Sequence, residues 1–269
     1  MKIGAVAILD ALGFKGIWKR FESDVVFQKL RDLRDVVVGE VSNANRDVPR
    51  MLFVDPISRS AKFFSDTCVI CVSIESATGV VLSPDDEVSM LTQHHALRDL
   101  TLTLANFLAH AIVTFPPFAY RGCIATGPFD IDDVFLLGPA IDEAAELASV
   151  ADGAFVWFSP RTQALYERFS SLIPSKVDSN FPEYHTVQNA LAPIYHVPLK
   201  GGHIAESRVV NPLAPHEPDT RDVLVERLLK TFDTSREDVR RKRSQTEAFL
   251  AIARAAPHIP LGTRIPPVQ

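Results

Sequence analysis

Short apolar runs that each end at a single carboxylate stand out in the first quarter of the chain. Residues 3–9 are almost wholly apolar, and Asp10 follows them directly. Two further strand-like runs, residues 62–65 and 67–74, meet at Asp66. Short apolar runs bounded by turn residues are typical of buried strands. We therefore predict a strand that leads into Asp10 and a tight hairpin with Asp66 at its turn.

A third stretch, near the middle of the chain, has the same character. Residues 121–127 predict a strand that ends at Gly127, and residues 134–137 predict a shorter strand that ends at Gly138. Pro139 follows, and proline at the first position of a helix costs no hydrogen bond. We therefore predict that a helix begins at Pro139.

The remaining pattern completes an alternating order of helices and strands. Apolar residues at helical spacing predict helices at residues 17–41, 88–113 and 160–172. Further strands are predicted at residues 155–158, 195–199 and 207–210, with a Lys-Gly-Gly turn at Lys200 between the last two. The order β-α-β-β-α-β predicts an α/β (α+β) fold: a ferredoxin-like or palm core with one mainly antiparallel sheet and flanking helices.

Proline content and charge divide the chain. We predict a main domain over residues 1–210, a proline-containing linker over 211–220, a helical segment over 221–256 and a Pro-rich tail over 257–269. The helical segment carries four consecutive basic residues, 240–243. Such a run could contact RNA or a membrane, but the acids nearby favour a solvated helix face.

Composition narrows the classes of function. The 269 residues carry a net charge of −5, which gives no basic footprint for nucleic acid. No apolar run approaches the length expected of a membrane span, and no signal peptide is evident, so a cytoplasmic protein is expected. Three cysteines imply no disulfide framework. Cys68 and Cys71 lie three apart in a predicted strand and point to opposite faces, which favours buried side chains over a metal site.

The two isolated aspartates are the candidate chemistry. A carboxylate at the end of a buried strand needs a cation, a helix N-terminus or water. Asp10 and Asp66 could each be an ordinary turn or cap residue. If they converge, they suit Mg²⁺, which takes one or two carboxylates, keeps waters and binds phosphate oxygens.

Four motifs in this order, ILDALGFKG, KFFSDT, YRGCIATG and LLGPAIDEAAELA, resemble the catalytic domain of class III nucleotidyl cyclases. They look most like the bacterial pyrimidine (uridylate or cytidylate) cyclases of Pycsar anti-phage systems, and the resemblance covers roughly residues 1–210. It implies a homodimer with active sites at the interface, two Mg²⁺ or Mn²⁺ ions, and a cyclic nucleotide product read by a separate effector protein.

The resemblance also implies roles for particular residues. Asp10 and Asp66 would hold both metal ions, with help from the backbone carbonyl of Ala11. Arg121 would bind the triphosphate, although a strand-edge arginine in an ion pair is the alternative. Lys200 matches a late lysine that also meets the triphosphate. Apart from the resemblance, the loop from Leu12 to Gly16 presents backbone N–H groups at a predicted helix start, which is a ready anion site; its candidate substrate-binding residues are Leu12, Gly13 and Phe14.

Two departures from the family pattern concern the base and the transition state. Lys62 matches a base-reading lysine, but Phe135 stands where adenylate cyclases carry its acidic partner, and phenylalanine cannot accept a hydrogen bond. This favours a pyrimidine, with UTP preferred over CTP by resemblance. Asp142 and Glu146 stand where the family has Asn and Arg. An adenylate cyclase, or a nucleotide-binding domain without activity, therefore remains an alternative. A palm-type polymerase or a diguanylate cyclase would also need metal-binding acids on a hairpin, but the sequence has no GGDEF-like signature and no evident basic surface for a primer.

Overall fold

The computed structural model describes residues 1–47, 57–74, 87–132, 134–172 and 183–259. Within these ranges the strands are β1 Lys2–Leu12, β2 Ile57–Phe64, β3 Thr67–Ile74, β4 Ala119–Ile131, β5 Leu136–Leu137, β6 Val156–Phe158, β7 Ile194–Pro198 and β8 Ile204–Arg208. The helices are α1 Ser23–Asp47, α2 Glu87–Val113, α3 Pro139–Ala148, α4 Pro160–Leu172, α5 Glu183–Leu191, α6 Pro218–Lys230 and α7 Glu237–Ala255.

The central sheet has the strand order β2-β3-β1-β4-β5, with every neighbouring pair antiparallel. Strand β6 pairs with β4 in parallel, and β7 and β8 form a separate hairpin. The first four strands and two helices follow the split β-α-β-β-α-β arrangement of a ferredoxin-like core. The predicted fold class, a mainly antiparallel sheet flanked by helices, is confirmed.

The two faces of the sheet are covered by different helices, because successive side chains of a strand point to opposite faces. Helices α1 and α2 cover one face, where Ala7 and Leu9 of β1 are fully buried. Helix α3 covers part of the other face and packs on Val6 and Ile8. Asp10 follows the parity of Val6 and Ile8, so it lies on the face of α3, beyond them toward the end of β1.

A second hydrophobic cluster joins the C-terminal helices to the sheet. Leu224 of α6 and Phe249 of α7 pack with Phe155 and Trp157. The interval predicted as a linker lies against this core. The side-chain amide of Asn211 there is buried and donates to the carbonyls of Ala190 and Ala253 at 2.9 and 3.0 Å.

Several predicted boundaries shift for local reasons. The helix predicted from residue 17 begins at Ser23, after a 3-10 turn at Ile17–Lys19. The strand predicted at 134–137 is confined to Leu136–Leu137, because the Asp132 side chain accepts hydrogen bonds from the next N–H groups and forms a turn. Helix α5 was not predicted. The predicted tail lies outside the described residues from 260 onward.

Helix α2 corrects the expectation that no apolar run approaches the length of a membrane span. By length and composition its segment Thr92–Val113 could cross a membrane, the one such helix in the described part of the chain. However, 78% of its apolar window is buried inside the structure. The helix therefore serves as the core helix of the sheet's covered face, as a buried helix of a globular fold does.

Candidate active site

Asp10 and Arg121 form an ion pair across strands β1 and β4. The two residues are direct partners in the antiparallel register. The Arg121 Nε and Nη2 atoms both donate to Oδ2 of Asp10, at 2.9 and 2.7 Å. The Arg121 side chain is 13% exposed and the Asp10 side chain is 26% exposed. The ion pair expected as the alternative for Arg121 is therefore present, and its partner, Asp10, is itself a candidate metal ligand.

Asp66 lies next to this pair because the hairpin turn is tied to the end of β1. The backbone N–H of Ala11 donates to the carbonyl of Asp66 at 2.8 Å. Ser65 adopts a positive φ of 60° in the predicted hairpin turn. The backbone N–H and C=O of a strand residue point to the same side, so the carbonyl of Ala11 also faces the turn. The backbone at Asp66 is thus held against the end of β1, one residue along the chain from Asp10.

The oxygen atoms at the end of β1 suit a hard divalent cation. Both hydrogen bonds from Arg121 end on Oδ2 of Asp10, which leaves Oδ1 outside the pair. Asp10 Oδ1 and the Ala11 carbonyl are therefore candidate donors here, and Asp66 is the nearest further carboxylate along the hairpin turn. Among the described residues no group of three or more His, Cys, Asp and Glu side chains forms a closed metal cage. Such an open set fits Mg²⁺ or Mn²⁺, which bind through few carboxylates and substrate phosphates.

Lys200 adds positive charge near the end of β1. It stands at the turn between β7 and β8, and its backbone N–H donates to the carbonyl of Val150 at 2.9 Å. Partial burial, followed by the charges of Arg121 and Lys242, lowers the pKa of Lys200. The structure thus places Lys200 within electrostatic range of Arg121, and adds Lys242, which the sequence did not single out.

The loop after Ala11 differs from its predicted form. Gly13 and Gly16 have φ angles of 73° and 78°, as a tight loop requires. Leu12 and Phe14 turn their side chains into the core, where Phe14 meets Phe118 edge-on. The element that follows is a 3-10 turn of three residues. Its N-terminus offers a smaller dipole than the helix start expected here.

A polar pocket of about 180 Å³ opens on the α3 face of the sheet, in the part that α3 does not cover. Its lining includes Lys2, Ser58, Ser60, Lys62, Ser73 and Asp132. Lys62 lines this pocket, whereas Phe135 is 64% exposed and does not line it.

Asp132 is a pocket residue that the sequence reasoning missed. Its Oδ1 accepts two hydrogen bonds, from the N–H groups of Val134 and Phe135, at 2.6 Å each. Those bonds, the one from Phe135 first, and then the charge of Lys62 lower the pKa of Asp132. An acid therefore accompanies Lys62 after all, three residues before the position that the motif comparison indicated.

Helix α3 buries its small apolar side inside the chain. Ala140, Ile141 and Ala144 pack against the sheet, while Asp142 and Glu146 are exposed. The sequence left open whether this apolar side serves a partner subunit or the chain's own core; the structure assigns most of it to the core. The outer side of α3 presents acids, so it supplies no positive charge.

No protein-family model and no curated protein matches the chain by sequence. Among solved structures, it is similar to the catalytic core of a rhodopsin-guanylyl cyclase with converted specificity in complex with ATPαS, with a TM-score of 0.43, 14% identity and coverage of 78% of this chain and 96% of that chain. The guanylate cyclase domain of RhGC from Catenaria anguillulae in complex with GTP has a TM-score of 0.43 and 13% identity, with coverage of 78% of this chain and 97% of that chain. A bacterial light-regulated adenylyl cyclase has a TM-score of 0.37 and 12% identity, with coverage of 79% of this chain and 92% of that chain. These values relate the chain to them in broad outline only.

Proposed function

We propose that this protein is a nucleotidyl cyclase that converts a pyrimidine nucleoside triphosphate, UTP in preference to CTP, into the 3′,5′-cyclic monophosphate and pyrophosphate. The observation that supports the proposal is the end of β1, where Asp10 pairs with Arg121 and the next residue, Ala11, is hydrogen-bonded to the backbone of Asp66. The motif resemblance supports the same reaction class and assigns the catalytic domain to residues 1–210, with the C-terminal helices as an extension.

The reaction needs positioning and charge neutralisation more than covalent help from the protein. The ribose 3′-oxygen bonds to the α-phosphorus, and its proton passes to water. The bond from the α-phosphorus to the bridging oxygen breaks, and pyrophosphate leaves with the electron pair. Arg121 and Lys200 would bind the polyphosphate and neutralise the charge that develops on it.

Asp10, Asp66 and the carbonyl of Ala11 would hold two divalent ions. When bound, such ions supply Lewis-acid stabilisation of the attacking and leaving oxygens. Arg121 then has two roles in succession. In the structure it neutralises Asp10, and once substrate binds it is available to the phosphates, because a guanidinium fork suits either oxyanion.

The base specificity is the finer part of the proposal. Phe135 at the family's acidic position, together with the motif resemblance, favours a pyrimidine. Asp132 in the pocket of Lys62 is the specific observation in favour of the second candidate, an adenylate cyclase, because a lysine and an acid together can read the adenine edge. The exposed acids Asp142 and Glu146 favour the third candidate, a nucleotide-binding domain without turnover.

We further propose a homodimer with active sites at the interface, acting in the cytoplasm as a source of a second messenger for anti-phage defence. The face of the sheet that holds Asp10 and Lys62 is covered by α3 only in part. Large apolar side chains are exposed at the end of strand β2 and in and just before strand β5: Phe64, Val134, Phe135 and Leu137. A second copy on this face would cover those side chains and enclose the substrate.

The test is incubation of the full chain with each of the four ribonucleoside triphosphates and Mn²⁺, followed by mass spectrometry of the products. Cyclic UMP as the main product is the expected result. Robust cyclic AMP without a pyrimidine product would select the adenylate cyclase, and the absence of any cyclic product would select the inactive domain. Product formation by a strictly monomeric protein at micromolar concentration would reject the interface site.

A further inference from the structure

Helix α7 is fixed against the end of the central sheet by buried contacts at its middle. The hydroxyl of Thr246 accepts a hydrogen bond from the backbone N–H of Ala154 at 2.9 Å. Phe249 packs edge-on against Phe155, with ring centroids 5.8 Å apart. Both α7 residues are buried. These contacts fix the rotation of the helix, and Arg241, about one turn earlier, meets Asp152.

Two consecutive cations on that turn have different surroundings. Arg241 donates from Nε to Oδ2 of Asp152 at 2.6 Å, and the Asp152 side chain is 5% exposed. This contact is structural, because it pairs a carboxylate that is almost wholly buried. Lys242 has only a long contact of 3.5 Å with Asp238 on its own helix, and its side chain is 21% exposed. Its ammonium group is thus partly sheltered and weakly held.

Lys242 extends the positive charge that Arg121 and Lys200 begin. Residues 150–152 pair with residues 198–200, since the N–H of Asp152 donates to Pro198 and that of Lys200 donates to Val150. Asp152 therefore connects the turn that carries Lys200 to helix α7. The charges of Arg121 and Lys242 both act on Lys200, after its burial, to lower the pKa of its ammonium group. Asp10 and Asp152 also act on Lys200 and raise its pKa. Each of these carboxylates is already bound by an arginine, Asp10 by Arg121 and Asp152 by Arg241. The two lysine ammonium groups therefore remain for a further anion.

We propose that Lys242 binds the polyphosphate of the substrate together with Arg121 and Lys200, so that helix α7 completes the active site from the C-terminal segment of the same chain. The inference rests on the proposed function and deepens it. It identifies where the positive charge comes from in a chain whose α3 presents Asp142 and Glu146. As pyrophosphate leaves with the electron pair of the broken bond, the Lys242 ammonium group neutralises part of its charge.

The experiment measures binding of inorganic tripolyphosphate in the presence of Mn²⁺ by isothermal titration calorimetry. It uses the full chain, because α6 and α7 bury Leu224, Phe249 and Leu250 against the rest of the fold. Lys242→Ala should weaken binding about 10-fold or more, as expected for loss of one charge-assisted contact. Lys242→Arg should restore most of the affinity. Lys230→Ala is the matched control, since Lys230 is exposed on α6 and pairs only with Glu226 among the contacts described.

The outcomes separate this inference from the proposed function. Equal tripolyphosphate affinity for the wild type and Lys242→Ala overturns the inference, as does a wild type that binds no tripolyphosphate. Binding that depends on Lys242 in a protein that makes no cyclic product upholds the inference and rejects the cyclase. Formation of cyclic product, together with an unchanged tripolyphosphate affinity of Lys242→Ala, rejects the inference and upholds the cyclase. If Lys242→Ala lowers the unfolding temperature, Lys242→Gln is measured instead, because it keeps a long polar side chain, one atom shorter than lysine, and removes the charge.

Discussion

The two faces of the central sheet differ in how completely they are covered, and that difference separates stability from chemistry. On one face, α1 and α2 bury the odd-numbered residues of β1, and Leu9 is fully buried. On the other, α3 covers Val6 and Ile8 but stops short of Asp10 and of strand β2. Neighbouring residues of one strand therefore have opposite tasks: Leu9 holds the fold and Asp10 faces the candidate site.

The sharpest test of this division is Asp10→Asn, which keeps the shape of the side chain and removes its charge. Turnover should fall on the order of a thousandfold, because the charged oxygen ligand of the metal ions is lost. Thermal unfolding should change little, since the amide can still accept from the guanidinium group. Near-normal turnover in this variant would show that the end of β1 is not the catalytic centre.

The neighbouring substitution, Leu9→Ala, should have the opposite profile. Removing a fully buried leucine leaves a cavity and should lower the free energy of unfolding by about 2–5 kcal/mol. Turnover per folded molecule should stay within about tenfold of the wild type, because the side chain points away from the site. Urea denaturation and active-site titration measure the two quantities separately. A Leu9→Ala protein that is stable but inactive would contradict the assignment of the two faces.

The covered face should also make the protein sensitive to acid. His94 of α2 is buried, stacks on Phe169 with ring centroids 3.7 Å apart, and has a pKa lowered to about 3 by burial, with smaller effects of His95 and Arg98. The unfolded state takes up a proton below pH 6.5 and the folded state does not, so stability falls as pH falls through this window. At pH 5 the loss is about 2 kcal/mol. His94→Phe keeps the stacking and should flatten the pH dependence of urea unfolding between pH 7 and 5; an unchanged slope would contradict the role of His94.

The smallest expected effect concerns the open pocket. Lys62→Ala should raise KM for the preferred nucleotide about tenfold, as expected for one lost hydrogen bond to the base. It should also reduce the preference among the four triphosphates, which competition assays measure directly. Lys230→Ala serves again as the matched control. An unchanged preference would place the base outside this pocket.

Local patterns predicted the elements of this fold well, because their signals are local. The hairpin around Asp66 and the start of α3 at Pro139 follow from turn residues and periodicity, and both are confirmed. Helix α5 was missed because its nine residues are short and mixed in character. The 3-10 turn at Ile17–Lys19 was read as helix because its apolar spacing continues that of α1.

Features of the site that depend on distant contacts could not be predicted in the same way. Arg241 and Asp152 are 89 positions apart, and nothing in the basic run indicates which of its residues meets a buried acid. Asp132 was passed over because a linear motif placed the acid at Phe135, whereas the side chain of Asp132 forms the turn that moves Phe135 outward.

The most direct test of the central claim is the stoichiometry of the products, followed by ³¹P NMR with the wild type and with Asp66→Asn. A cyclase releases one pyrophosphate for each cyclic phosphodiester formed, and both signals should grow together with the wild type and be lost with the variant. The account predicts this result with UTP and Mn²⁺. Release of inorganic phosphate without a cyclic product, or equal rates for the two proteins, would contradict it.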